Sequence, residues 1–150
     1  PVTIGGAAMA FAGVLGWYWL FGWLLVSGVA DAPYPLPEAA WFGLCTLLCL
    51  LGCVIMVAAD AQKYFTLQAR PGLIIDGMFR HVRHPNYLGE IMVYASFALM
   101  VWHWLPWLVL AWVWAGVFAV NMIVKEQRMS RFPEWPAYRE RTAWLVPGLL

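Results

Sequence analysis

The chain has 150 residues, of which 63% are hydrophobic, 17% are aromatic and only 11% are charged, and its formal net charge is +1. Because soluble domains carry about a quarter charged residues, this composition excludes an ordinary soluble domain and predicts an integral membrane protein. At this length we expect one all-α domain over residues 1–150, a bundle of about four transmembrane helices with a polar loop and a polar C-terminal tail.

Two apolar segments open the chain. Residues 2–30 are predicted as the first span, which at about 1.5 Å per residue exceeds the hydrocarbon core of a bilayer. Residues 31–38 contain three prolines and two acidic side chains and are predicted as a loop, because alternate residues lack a backbone donor. The second predicted span is 39–59. Its three cysteines share one helix face, and we interpret them as packing residues rather than metal ligands, since no histidine or carboxylate joins them.

The main polar segment covers residues 60–83. Here we expect the helix to fray through Gln68 and the chain to turn at Arg70, Pro71 and Gly72. Residues 91–124 then contain no Lys, Arg, Asp or Glu, and they are too many for one bilayer crossing, so the chain must turn at 103–106. We therefore predict spans at 85–102 and 106–124, with His103 capping the turn between them.

The charges orient this arrangement. All nine Lys and Arg residues fall at or after Lys63. Four spans return the C-terminal tail to the side of the 60–90 loop, and basic loops face the cytoplasm in membrane proteins. We therefore expect the 60–90 loop and the tail to be cytoplasmic, in what we interpret as a bacterial inner membrane.

Two segments, 77–90 and 125–147, hold most of the residues that suit chemistry. Polar groups beside apolar spans are costly unless they have a function. Arginine and histidine clusters suit an anionic cofactor, whereas carboxylates suit a ribose hydroxyl, an amide or an ammonium group. Neither GxGxxG nor GxxxxGK[ST] is present, so we predict a cofactor held by helix ends rather than by a Rossmann domain or a phosphate-binding loop.

The order of these residues resembles a known superfamily of membrane enzymes. It contains isoprenylcysteine carboxyl methyltransferases, phospholipid N-methyltransferases and the C-terminal halves of steroid 5-alpha reductases and sterol reductases. The resemblance extends from about residue 60 to the C-terminus, and within it the reductases commonly show Asn-Tyr-(Leu/Phe)-Gly-(Glu/Asp), which residues 86–90 match. The matching residues are Gly77-x-Phe79, Arg83-His84-Pro85-Asn86-Tyr87-Leu88-Gly89-Glu90, Lys125-Glu126-x-Arg128 and Tyr138-x-x-Arg141.

The reductase resemblance, which we favour, implies hydride transfer from NADPH to a double bond of a lipid-soluble, steroid- or isoprenoid-like substrate. Tyr87 and Glu90 are then the candidate catalytic residues. The spans that form the substrate pocket of steroid reductases have no clear equivalent here, so Tyr64, Tyr87 and Tyr94 all remain candidates for polarising a substrate carbonyl. Over all interpretations, the candidate cofactor-binding residues are Arg83, His84, Asn86, Tyr87, Glu90, Glu126, Arg128, Tyr138 and Arg141.

Two alternatives remain open. The methyltransferase resemblance fits the chain length better and implies S-adenosylmethionine as cofactor, with its amino-acid portion held by His84 and Glu126 and its pocket lined by Tyr87. A third interpretation is a non-catalytic membrane protein whose basic residues bind anionic lipid headgroups. We expect the lipid bilayer and a hydrophobic small molecule or lipid substrate as partners, and no nucleic acid. The oligomeric state is left open.

Overall fold

A computed structural model of the chain describes residues 4–29 and 33–148. Within these residues all regular structure is helical, apart from one isolated bridge between Val82 and Ala143, so the predicted all-α class is confirmed. A 3-10 turn, Gly77–Arg80, precedes α3, and a π-helical segment, Trp114–Phe118, joins α4 to α5. The α-helices are α1 (Ile4–Val26), α2 (Glu38–Ala69), α3 (Pro85–Val101), α4 (Trp104–Val113), α5 (Ala119–Met129) and α6 (Trp135–Arg141).

Two helical stretches are long and apolar enough to cross a membrane, Glu38–Ala69 and Trp104–Met129, and Phe11–Val26 is a shorter apolar helix. In the apolar window of each long stretch only 17% of the residues are buried, whereas the core helix of a soluble protein is mostly buried. Large apolar side chains instead face outward, among them Trp19 and Trp112. These helices therefore suit a bundle that lies in a bilayer.

The first two helices differ from the predicted spans at their ends. α1 stops at Val26, and Gly28 follows with φ 71°, while the predicted limit of the span and Asp31 of the acidic loop fall outside the described residues. α2 does not fray but stays helical to Ala69, ending at the predicted turn. Residues 38–59 rise about 33 Å, enough to cross a bilayer core, so the remaining turns of α2 extend past it.

The turn between α3 and α4 is formed by Trp102 and His103. α3 begins at Pro85, as the sequence predicts, because the missing N–H of proline is harmless in the first helical turn. It ends at Val101, before Trp102 in the left-handed region at φ 51°. The Nδ1 atom of His103 accepts a hydrogen bond from the Leu105 N–H at 3.2 Å, so the predicted capping role is confirmed.

Two glycines allow α2 and α3 to pack closely. A Cβ atom on Gly52 of α2 would lie 2.7 Å from the carbonyl oxygen of Gly89, and one on Gly89 would lie 2.6 Å from the carbonyl oxygen of Gly52. Backbone atoms therefore meet directly, as in close-packed membrane helices. Gly89 of the 77–90 segment is thus a helix-packing residue.

Two apolar clusters connect the remaining helices. Trp17, Ala98 and Leu110 join α1, α3 and α4, while Tyr87, Phe118 and Met122 join α3 to the π segment and α5. A π segment accommodates an extra residue within one turn, so the helix faces that follow it are rotated relative to those before it. This rotation accompanies the contact of Phe118 and Met122 with Tyr87.

Candidate functional site

A basic cleft lies where three helix ends meet. The last turns of α2, the first turn of α3 and the end of α5 surround a cavity of about 420 Å³, which α6 and the 71–74 loop complete. The predicted segments 77–90 and 125–147 are therefore neighbours in space. The cleft is lined by Lys63, Leu67, Pro71, Gly72, Leu73, Ile74, Phe79, Arg83, His84, Asn86, Lys125, Arg128, Met129, Arg131, Phe132 and Tyr138.

The charge of this lining is strongly one-sided. Its ionisable residues comprise five Lys and Arg residues, His84 and Tyr138, and no described carboxylate lines it. Two of the five are the only lysines of the chain. Such a lining attracts anions, because like charges gathered around a concave surface focus the field. The basic residues are Lys63, Arg83, Lys125, Arg128 and Arg131.

Arg83 forms several hydrogen bonds within the protein. Its Nε donates to Glu126 Oε1 at 2.6 Å, and both side chains are largely buried, at 9% and 18% exposure. Its Nη1 donates to the carbonyl oxygen of Arg139 at 3.1 Å and to Thr142, at both the carbonyl oxygen and Oγ1. Arg83 therefore joins the start of α3 to α5 and to the end of α6.

Backbone contacts strengthen the same junction. The N–H of Arg83 donates to the Ala143 carbonyl, and the N–H of Ala143 donates to the His81 carbonyl, both at 2.9 Å. Tyr138 Oη donates to the Phe79 carbonyl at 2.7 Å. Burial raises the pKa of Tyr138 to about 12, so its hydroxyl stays protonated as this donor. The guanidinium of Arg141 lies 5.8 Å from the centre of the Tyr138 ring.

His84 is buried at the mouth of α3 without a full set of partners. Its side chain is 3% exposed and its Nε2 has no hydrogen-bond partner, since the nearest carboxylate oxygen, Glu126 Oε1, lies at 3.5 Å. Burial, followed by the charges of Lys125, Arg83 and Lys63, lowers the pKa of His84 to about 3. His84 is therefore a neutral imidazole at physiological pH.

The two candidate catalytic residues lie farther into the bundle and do not line the cleft. Tyr87 is buried, and its hydroxyl accepts a hydrogen bond from Lys125 Nζ at 3.0 Å. Glu90, one helical turn beyond Asn86, shares a face of α3 with Tyr94. Tyr87 thus orients a cleft lysine, whereas Glu90 lies outside the lining of the cleft.

The loop before the cleft is held by Gln62, which the sequence did not single out. Gln62 Nε2 donates to the Asp76 carbonyl, and the Met78 N–H donates to Gln62 Oε1, both at 2.9 Å. Arg70 forms an ion pair with the Asp76 carboxylate across the same loop. Gln62 therefore fixes the segment that leads into the 3-10 turn.

The predicted cofactor-binding residues divide into those that line the cleft, one that pairs with a lining residue, and those that lie outside the lining. Glu126 does not line the cleft but pairs with Arg83, which does. Tyr87, Glu90 and Arg141 lie outside the lining. The predicted site residues omitted Lys63, Lys125 and Arg131, although Lys125 and Arg131 lie in the predicted segment 125–147. The predicted residues that do line the cleft are Arg83, His84, Asn86, Arg128 and Tyr138.

Comparison with known proteins places the chain in a family. It is 49% identical over 45 residues to the uncharacterized protein C7D4.09c of Schizosaccharomyces pombe, covering 30% of this chain and 16% of that protein. It is 29% identical over 93 residues to the uncharacterized protein C594.04c of the same yeast, covering 58% of this chain and 27% of that protein. No solved structure matches. Residues 7–142 match the family described as "Protein of unknown function (DUF1295)", and the chain therefore belongs to that family.

Proposed function

We propose that this protein is an integral membrane reductase that uses NADPH to reduce a double bond in a lipid-soluble, steroid- or isoprenoid-like substrate. The observation that supports this function is the charge of the cleft, which gathers five basic side chains and no described carboxylate. The resemblance of residues 86–90 to the reductase pattern of the superfamily agrees with it. As all nine cations follow residue 62, we propose that the cleft faces the cytoplasm.

Electrostatics favours NADPH over S-adenosylmethionine in this cleft. NADPH carries a pyrophosphate and a 2′-phosphate, and a phosphate monoester alone holds about −1.5 to −2 charges at pH 7. S-adenosylmethionine has a sulfonium and an ammonium against one carboxylate, so it is a net cation. Arginine forks bind phosphate bidentately, which suits Arg128 in the last turn of α5 and Arg131 just after that helix.

The surroundings of the cleft suit an elongated ligand. A depression of about 400 Å³ shares Lys63 and Leu67 with it, and another of about 540 Å³ shares Arg83. An extended dinucleotide would therefore have room beyond the cleft. The apolar wall, which includes Leu73 and Phe132, suits a nicotinamide or adenine ring.

The proposed reaction is a hydride transfer followed by protonation. NADPH supplies the hydride, which adds to one carbon of the double bond, and the neighbouring carbon takes a proton, so that NADP⁺ and the saturated product result. Residues of this chain would orient the two reactants and deliver the proton. We assign that role to Tyr87 and Glu90, on the first two turns of α3 and therefore close to the apolar bundle that a lipid-soluble substrate can enter.

A ligand titration of the detergent-purified protein tests this function. We expect NADPH to raise the thermal unfolding midpoint, NADH to do so less, and S-adenosylmethionine and S-adenosylhomocysteine not to do so. Arg128→Gln should weaken NADPH binding by about tenfold or more, because it removes a charged hydrogen-bond donor. Arg80→Gln is the matched control, since Arg80 is exposed and does not line the cleft.

The methyltransferase alternative is supported by one contact, the 3.5 Å approach of His84 Nε2 to Glu126 Oε1. The superfamily resemblance assigns those two residues to the amino-acid portion of S-adenosylmethionine. Stabilisation by S-adenosylhomocysteine alone would therefore replace the reductase with this alternative. Stabilisation by anionic lipid without any response to nucleotides would favour the non-catalytic lipid-binding protein.

A further inference from the structure

We propose that Lys63 and Lys125, with His84 and the N-terminal turn of α3, form a subsite for a phosphate or diphosphate group in the cleft. The subsite rests on the proposed function only for its expected ligand, the pyrophosphate of a dinucleotide. Neither Lys63 nor Lys125 is among the predicted cofactor-binding residues, whereas His84 is.

The lysines come from different helices and converge on one cavity. Lys63 lies near the end of α2 and Lys125 near the end of α5, and both are half-buried in the lining of the cleft. Neither lysine has a carboxylate oxygen within 4.0 Å in the described part of the chain. The basic partners in the ion pairs of that part are Arg70, Arg83 and His84. In the described residues, neither lysine is therefore part of an ion pair.

The two ammonium groups line the same cavity and repel each other. Burial, and after it the charge of Lys125, lowers the pKa of Lys63. Lys125 donates a hydrogen bond to the Tyr87 hydroxyl, which orients the ammonium. An anion placed between the lysines would turn this repulsion into two attractions.

The end of α3 adds donors on the same side. The first N–H groups of an α-helix have no intrahelical partner, and no side chain caps those of α3. The 17-residue helix also directs the positive end of its dipole towards the cleft, where its first-turn residue Asn86 lies. Helix N-termini bind phosphate groups for these two reasons.

His84, the residue before α3, also lines the cleft. It is 3% exposed, and its Nε2, which lies 3.5 Å from Glu126 Oε1, has no hydrogen-bond partner. Buried polar groups nearly always have a partner, so an exception calls for an explanation. A phosphate oxygen accepts from ammonium and backbone N–H groups alike, so one group would serve both lysines and the helix end, with the imidazole of His84 beside it.

The lysine content provides a direct experiment on the unmodified protein. Because Lys63 and Lys125 are the only lysines, amine-selective reductive methylation followed by peptide mass spectrometry reports on each of them separately. At sodium pyrophosphate ten times its dissociation constant, we expect methylation of both lysines to slow about tenfold, as only the free site reacts. Sodium chloride at equal ionic strength is the control. Unchanged rates at both lysines would overturn the subsite.

Two variants repeat the test by another measurement. Pyrophosphate should raise the thermal unfolding midpoint of the wild type and of Arg80→Met, whereas Lys63→Met and Lys125→Met should lose most of that rise. An equal rise in all four proteins would show that pyrophosphate binds elsewhere and would contradict the proposal. Tyr87→Phe should weaken the response without abolishing it, because Lys125 loses its orienting hydroxyl but keeps its charge.

The same protection measurement with other ligands distinguishes the subsite from the proposed function and identifies the source of the phosphate group. If NADPH binds without protecting either lysine, the subsite is wrong while the reductase proposal stands. If pyrophosphate protects both lysines but NADPH does not bind, the subsite stands without the reductase. Nanodiscs of phosphatidylcholine with and without phosphatidic acid complete the test. Protection by phosphatidic acid, without protection by pyrophosphate or NADPH, would support a phosphate subsite that receives a lipid headgroup.

Discussion

The two ends of the bundle use their polar side chains in opposite ways. At the end where α3 meets α4, Tyr34 Oη donates to the Met100 carbonyl, Trp41 Nε1 donates to the Leu99 carbonyl, and His103 accepts from the Leu105 N–H. At the cleft end, both lysines line a cavity that no described carboxylate lines, and His84 Nε2 has no hydrogen-bond partner.

This difference separates polar residues that build the fold from those available to a ligand. Aromatic side chains with polar tips at the first end satisfy carbonyl groups that the end of α3 leaves open. At the cleft end, Arg83 and Tyr138 also form hydrogen bonds within the protein, Arg83 to the Glu126 carboxylate and Tyr138 to the Phe79 carbonyl. The polar side chains without such internal partners define the site better than the predicted list of polar residues does.

The largest effect is expected from the buried ion pair that supports the cleft. Arg83→Met should lower the free energy of unfolding by about 3–5 kcal/mol, because Glu126 stays buried without a partner. Denaturant unfolding in detergent measures this loss. The control is Arg70→Met, whose ion pair with Asp76 is exposed, at 61% and 55%, and should matter by about 0–1 kcal/mol. Equal losses in both variants would contradict the assigned role of Arg83.

The next effect concerns the close packing that holds α3 in place between the two ends. Gly89→Ala should cost about 1–3 kcal/mol of unfolding free energy, because the new methyl group meets the backbone of α2. Gly43→Ala is the matched control in α2, since a Cβ atom there has nothing within 4 Å. Alanine should even stabilise the helix at that position, by up to about 1 kcal/mol. A neutral Gly89→Ala would show that the helices are not in contact there.

A pH series examines the unpartnered histidine. The pKa of His84 is about 3 in the folded protein and 6.5 in a free side chain, so between these values only the unfolded chain takes up the proton. Stability is therefore complete above pH 6.5 and falls as the pH is lowered towards 3, by at most about 1.4 kcal/mol per pH unit. His84→Gln should flatten this dependence, and His81→Gln, at an exposed position, should leave it as it is.

The smallest effect is expected at the end opposite the cleft. Trp41→Phe removes the hydrogen bond to the Leu99 carbonyl and should cost about 1 kcal/mol of unfolding free energy. The dissociation constants of NADPH and pyrophosphate should stay the same, because Trp41 lies on a different part of α2 from Lys63. A loss of ligand affinity in this variant would mean that the two ends are coupled.

Prolines and charge patterns allowed much of the fold to be predicted. Pro85 and Pro71 restrict the backbone in ways that depend on local sterics alone, so the start of α3 and the turn after α2 were placed correctly. His103 was identified as a cap from the length of the apolar run around it, and the structure agrees. These features need no knowledge of which helices are neighbours.

The candidate site depended on tertiary contacts that the pattern does not encode. Lys63 reaches the cleft only because α2 continues past the predicted span, and Lys125 only because the end of α5 returns to the same place. Arg83 is recognisable as part of a motif, but its partners at Glu126 and Thr142 are far away in sequence. Gly89 looks like a binding-motif residue until the backbone of α2 is found against it.

The π segment Trp114–Phe118 determines which way the side chains after it point around the helix axis. One residue more or less in a helix turns every later side chain by about 100° around the axis. Without this insertion, the face that carries Lys125 towards Tyr87 would point elsewhere while the apolar crossing before it kept its place. A local change of register in the apolar part of the helix thus turns the charged side chains at its end towards the cleft. The two halves of the helix can therefore present different faces to their neighbours.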